Sequence, residues 1–250
     1  MQDHSQPKRL TCPVCLRPQS TCICQWITPT DHQVEVVLLQ HPLEVGNAKG
    51  SARLLHLSLP HSTLVTGEVF AQETLQALIS APLQPKAAEN APRYTILLYP
   101  DSPQDKALGL PAPPVLAPAQ LRDPSRLRLI VLDGTWRKSR KMLYLNSLLH
   151  HLPRLALRDM PASGYRIRKA HKPDQLSTLE ASCAALAQLE GKAEPFAPLL
   201  AAFDGFVAQQ RVAGPGVHCK QKQEISGRPS GRAGSHRPEG RCLKQKADFR

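Results

Sequence analysis

Four cysteines fall within thirteen residues, as Cys12-Pro-Val-Cys15 and Cys22-Ile-Cys24. Four thiolates brought together by tight turns are the ligand set of a tetrahedral zinc site. The one-residue gap of the second pair is rarer than the two-residue gap of the first, but it still reaches a single metal. An iron–sulfur centre, a redox pair and a set of unbound thiols are the other readings of the cluster. A closed four-cysteine site keeps no position for water or substrate, so its role is structural, stapling the N-terminal arm. A second group, Asp133-Gly134-Thr135-Trp136, follows the apolar run 129–132 and is delivered by Leu132 at a strand's carboxyl end, where ligands sit in open α/β sheets. Position alone does not separate a site from a plain helix start, in which Asp133 is an N-cap and Trp136 is core. A third group, Tyr165-Arg166-Ile167-Arg168-Lys169, leads towards Ser177-Thr178-Leu179-Glu180. Its forked and point-like cations suit phosphate or carboxylate, or make a solvated basic loop. His41-Pro42-Leu43-Glu44, with Asn47, is a fourth polar group at a strand end, where a lone histidine is usually structural.

The elements that must carry these groups are legible as apolar runs. Residues 34–40 are β-branched and leucine-rich, as a buried strand of a parallel sheet requires, and end at His41-Pro42. Residues 48–59 then place Ala52, Leu55 and Leu59 at helical spacing, stopped by Pro60. Strand-like runs recur at 62–66, 94–99 and 127–132, with room for helices between them. This is an α/β fold. Residues 176–189 predict a helix with Ser177 and Thr178 as cap candidates and Leu179, Cys183, Leu186 and Leu189 on one face. Residues 195–210 give a last amphipathic helix with Phe196, Leu199, Phe203 and Phe206. Between 101 and 123 the prolines exclude a long helix or a central strand, so this stretch reads as a surface connection, either functional or a spacer.

Composition sets the frame. A chain of 250 residues holds one ordinary domain with modest additions. Twenty-four prolines and a hydrophobic share of 41% place part of it outside the core. That part begins at Arg211: ten Lys or Arg against three acids contribute +7 of the net +12, with almost no large apolar side chain to offset chain entropy. The expected organisation is a cysteine-rich, zinc-binding arm over 1–30, an α/β domain over 31–210 and a basic, disordered tail over 211–250. Such a tail can grip RNA phosphates or do nothing. No run of eighteen apolar residues and no cleavable leader pattern is present, so a cytoplasmic, reducing setting without membrane is expected.

In order, Cys12-x-x-Cys15, Cys22-x-Cys24, His41-Pro-x-Glu44, Leu98-Tyr-Pro100, Asp133-Gly-Thr-Trp136, Tyr165-x-x-Arg168-Lys169 and Ser177-Thr-x-Glu180 resemble the DTW-domain family. Its members are tRNA-uridine aminocarboxypropyltransferases with a fold similar to the knotted SPOUT methyltransferases. The resemblance implies a SPOUT-like, mostly parallel sheet flanked by helices, with a small N-terminal zinc ribbon. It also implies S-adenosylmethionine as co-substrate, zinc as structural metal and tRNA as partner. Asp133 is then the candidate base for a uridine imide proton, with Thr135 and Trp136 beside it. Pro100, Leu132, Gly134, Arg166, Arg168, Lys169, Ser177, Thr178, Glu180 and Glu44 are the candidates for holding the donor, and Arg166, Arg168 and Lys169 suit tRNA phosphates as well. The basic tail lies outside the family pattern. A SPOUT-like RNA methyltransferase and a noncatalytic zinc-containing RNA-binding protein are the rival readings.

Overall fold

The apolar runs become five strands: β1 (Glu35–Gln40), β2 (Ser62–Thr66), β3 (Tyr94–Leu98), β4 (Leu127–Asp133) and β5 (Arg154–Leu155). A computed structural model describes residues 10–81, 93–100, 102, 105, 107–157 and 176–212, with side chains to 210. Its strands pair into one all-parallel sheet in the order β2-β1-β4-β3-β5. The helices are α1 (Pro42–Val45), α2 (Ala52–Ser58), α3 (Gln72–Ser80), α4 (Trp136–Leu145), α5 (Thr178–Glu190) and α6 (Ala197–Val212).

Both faces of the sheet are covered, which is why its central strands carry continuous apolar runs rather than alternating. The two-residue side-chain period divides the core into two layers. Val36, Leu38, Leu129 and Val131 meet α2, α5, α6 and Cys12, Cys15 and Ile23. Val37, Leu39, Ile130 and Leu132 meet Leu75 of α3 and Met142 and Leu143 of α4. One charge interrupts β4: Arg128 is fully buried. Its Nε and Nη2 donate to Glu35 Oε2 at 3.0 and 2.6 Å, and further donors reach the carbonyls of Leu78 and Ala81. Arg93 Nε lies 2.9 Å from the other Glu35 oxygen.

The helix expected from residue 48 starts at Ala52, because 47–50 turn on themselves with Gly50 N donating to Asn47 O. Ser177, not Thr178, caps α5. Its Oγ accepts from Glu180 N while the Glu180 carboxylate accepts from Ser177 N, a closed capping box. The proline-rich connection runs mostly exposed into a 3-10 turn at Pro118–Arg122, yet Asp105 within it is buried against Arg154. The expected tail lies outside the described residues. So do residues 82–92 and 158–175, and the described residues do not show the implied knot.

Candidate active site and metal centre

The chain leaves β1 towards β2 on one side of the sheet and leaves β4 towards β5 on the other. Divergent connections open a crevice between the carboxyl ends of adjacent parallel strands, the usual ligand position in such sheets. Gln40 and Asp133 are register partners at that point. The Asp133 carboxylate is 3% exposed and takes Gln40 Nε2 on Oδ2 at 2.9 Å and Thr178 Oγ1 on Oδ1 at 2.6 Å. Its carbonyl accepts from His41 N at 3.0 Å. One side chain therefore ties β1, β4 and the start of α5. Each carboxylate oxygen accepts at least one hydrogen bond, so the group is held in one orientation.

Around this hub the polar residues are paired across elements. His41 Nδ1 accepts from Leu43 N and caps α1, which leaves the Nε2 proton to donate to Glu68 Oε1 at 2.8 Å. Glu68 Oε2 is 2.8 Å from Lys141 Nζ, and the Lys141 and His41 bonds together hold the Glu68 carboxyl below its ordinary range. Glu44, 2% exposed, accepts from Lys138 Nζ at 2.9 Å and from Asn47 Nδ2 at 2.8 Å. Thr135 caps α4 by accepting from Lys138 N, and Gly134 sits so close to α4 that a Cβ there would lie 3.1 Å from Lys138 Cβ. Trp136 is half exposed. Its ring meets Tyr99 edge to face at 5.9 Å. Arg154 lies 5.2 Å over the Tyr99 ring and is fixed at 2.5 Å by Asp105. Burial pushes the Tyr99 phenol above its ordinary value, so it stays protonated.

The four cysteine Sγ atoms lie within 4.8 Å of one another, with Cys12 and Cys24 at 3.5 Å and Cys15 and Cys22 at 3.7 Å. Thiolates about 2.3 Å from zinc define tetrahedral edges of about 3.8 Å, so the set fits that metal. The first turn is built for a thiolate: the N–H groups of Cys15 and Val14 point at Cys12 and lower it to about 6. Cys24 has no such donors, and burial raises it to about 12. A bound cation would overcome that cost, as metal sites do. Leu16, at φ 58, carries the left-handed step that closes the turn, with Leu16 N donating to Cys12 O. The arm is clamped to the domain. Arg17 donates at 2.7 Å to the carbonyls of Ala48 and Gly50 and lies over the Phe206 ring, while Trp26 packs on Gly205 and donates to Gln209.

Of the residues expected from sequence, Asp133 and Thr178 touch, Thr135 and Trp136 start α4 beside them, and Leu132 and Gly134 flank Asp133 on either side. Glu44 reaches α4 through Lys138, and Ser177 and Glu180 are spent on capping α5. Pro100 is exposed just past β3. Arg166, Arg168 and Lys169 lie outside the described residues. Sequence reasoning missed Gln40, Glu68, Lys138, Asp105 and Arg154. Gln40 carried a usable signal, as the single polar end of an apolar strand; the others are one charge among many until the fold pairs them.

The DTW domain model matches residues 9–211, and the chain belongs to the DTW family. Among curated proteins it is similar to tRNA-uridine aminocarboxypropyltransferase 2 of Macaca fascicularis, 29% identical over 187 residues, covering 73% of this chain and 57% of that protein. The Mus musculus protein of the same name is 29% identical over 192 residues, covering 75% and 59%. That of Drosophila melanogaster is 28% identical over 197 residues, covering 75% and 69%. The chain thus spans less than two thirds of the length of the two mammalian relatives. No solved structure matches it.

Proposed function

We propose that this chain transfers the 3-amino-3-carboxypropyl group of S-adenosylmethionine to the imide nitrogen of a uridine in tRNA. The carbon–sulfur bond to the γ-carbon breaks, a nitrogen–carbon bond forms, the imide proton leaves to a base and methylthioadenosine is released. Family membership and the relatives' names support the reaction class. The observation that carries the residue assignment is the buried Asp133 carboxylate at the switch point, held in one orientation by Gln40 and Thr178. Fixed on both oxygens, the Asp133 carboxylate is oriented to accept the imide proton. Thr135, Trp136 and the α4 start border the acceptor, while Glu44 and Lys138 hold α1 against α4. Arg166, Arg168 and Lys169 are assigned to the donor carboxylate or RNA phosphates, on residue type and motif position. Cys12, Cys15, Cys22 and Cys24 hold a structural zinc that fixes the arm.

The test is mass spectrometry of nucleosides from unmodified tRNA incubated with the full chain and S-adenosylmethionine. A uridine heavier by one aminocarboxypropyl group, with methylthioadenosine released, supports the reaction. A methylated nucleoside with S-adenosylhomocysteine shows methyl transfer instead, and unchanged tRNA across several pools refutes both.

A further inference from the structure

Beyond Trp136 at its start, the outward side of α4 has no role in the site just described. Its buried residues are Ser139, Met142 and Leu143, which leaves Trp136, Arg137, Lys141 and Tyr144 exposed and Arg140 partly so. Positions 136, 140 and 144 stack one turn apart, so the two aromatic rings bracket about 12 Å of helix. The helix holds four cations and no acid. Lys138 and Lys141 are committed to Glu44 and Glu68, which leaves the arginines to set the field between the rings, with Arg140 beside the Tyr99 hydroxyl.

The indole of Trp136 is also held still. The run from Asp105 through Arg154 and Tyr99 braces its inner edge, while half of its surface faces outward, one turn from Asp133. A braced, half-exposed indole wastes hydrophobic surface unless something covers it. The charge pattern names the class: an aromatic platform flanked by guanidinium groups suits unpaired nucleotides, whose bases stack and whose phosphates pair with Arg. A protein partner of this site would need an acidic, aromatic-tolerant face. Four cations and no acid on α4 itself favour the nucleic acid.

We infer that the outer face of α4 is the docking surface for the unpaired RNA segment carrying the target nucleotide, with a base stacked on Trp136, a second base on Tyr144 and phosphates at Arg137 and Arg140. This rests on the reaction proposed above but is read out separately from it. The chain has two tryptophans, and Trp26 is packed on Gly205, so Trp136 is the one a nucleobase can quench. Unmodified tRNA is titrated into the full chain while indole emission is followed, at several salt concentrations and without S-adenosylmethionine. Quenching in the wild type, lost in Trp136→Phe, is expected. Arg137→Ala should weaken binding about tenfold and lower the salt slope by about 0.7 to 0.9, the value of one phosphate contact. Tyr144→Ala should weaken it by about fivefold or more, as loss of one stacked base does. If tRNA is modified normally yet Trp136 is not quenched and the α4 variants bind like wild type, the surface is refuted and the reaction stands. If Trp136 is quenched with the expected salt slope but no transfer occurs, the surface stands and the reaction fails.

Discussion

Asp133→Asn separates a base from a brace. Asp133→Ala does not, because it strands two donors, the buried Gln40 Nε2 and the half-buried Thr178 Oγ1. Each stranded group costs about 1–3 kcal/mol, so the alanine variant loses about 2–6 kcal/mol in total. At about 2–4 °C per kcal/mol for a domain of this size, it melts roughly 4–24 °C lower, and its inactivity says nothing about proton transfer. Asparagine keeps Oδ1 for the Thr178 hydroxyl, and the Gln40 amide can turn its oxygen to the new NH2, limiting the loss to about 1 kcal/mol. What asparagine cannot do is accept the imide proton. Transfer measured in a single turnover by nucleoside mass spectrometry should fall by roughly 10²–10⁴-fold, the worth of a positioned base. Calorimetric affinity for S-adenosylmethionine should stay within a few-fold. A variant that melts normally, binds the donor and reacts within tenfold of wild type refutes the base assignment and leaves Asp133 as a brace.

Glu35→Ala leaves the fully buried Arg128 guanidinium without its carboxylate, a change of about 3–5 kcal/mol; thermal melting should drop by roughly 6–20 °C, and a fall below about 3 °C contradicts the pairing. Purified protein should carry about one zinc per chain by elemental analysis, and Cys12→Ser with Cys15→Ser should lose it while the sheet persists by circular dichroism. Acid stability has a readable sign. Burial lowers His32 and His56 below their ordinary 6.5, with His32 Nδ1 donating to Val34 O and Nε2 accepting from His61 N. The unfolded chain therefore binds more protons, and this stability is present above about pH 6.5 and lost as pH falls through the folded values. The urea midpoint should decline from pH 7 to 5, before the Glu68 contribution is lost at lower pH, and less steeply in His32→Asn.

Four of the five strands and the two last helices were legible because each carries its own periodicity. β2 was read to the residue; β5 was missed because two residues show no alternation. α3 and α4 were harder, since α3 buries only Leu75 fully and α4 is basic over most of its surface. The cysteine spacing announced its geometry because ligation is local. The neighbourhood of Asp133 did not, because its bonds join residues 45 and 93 positions apart, and no local pattern encodes which glutamate meets which lysine.

That same separation makes the Asp133 hub a late product of folding. Closing it requires β1 beside β4 in register and then α5 returned across the whole sheet, so the entropy of two long loops is spent before its hydrogen bonds form. A ribosome-bound chain that has emerged only as far as β4 has the central strands of the sheet but no Thr178 to complete the grip on the carboxylate. The finished hub is therefore withheld from every incomplete chain, and if Asp133 is the base proposed above, turnover becomes a stringent assay of whether the fold has been finished.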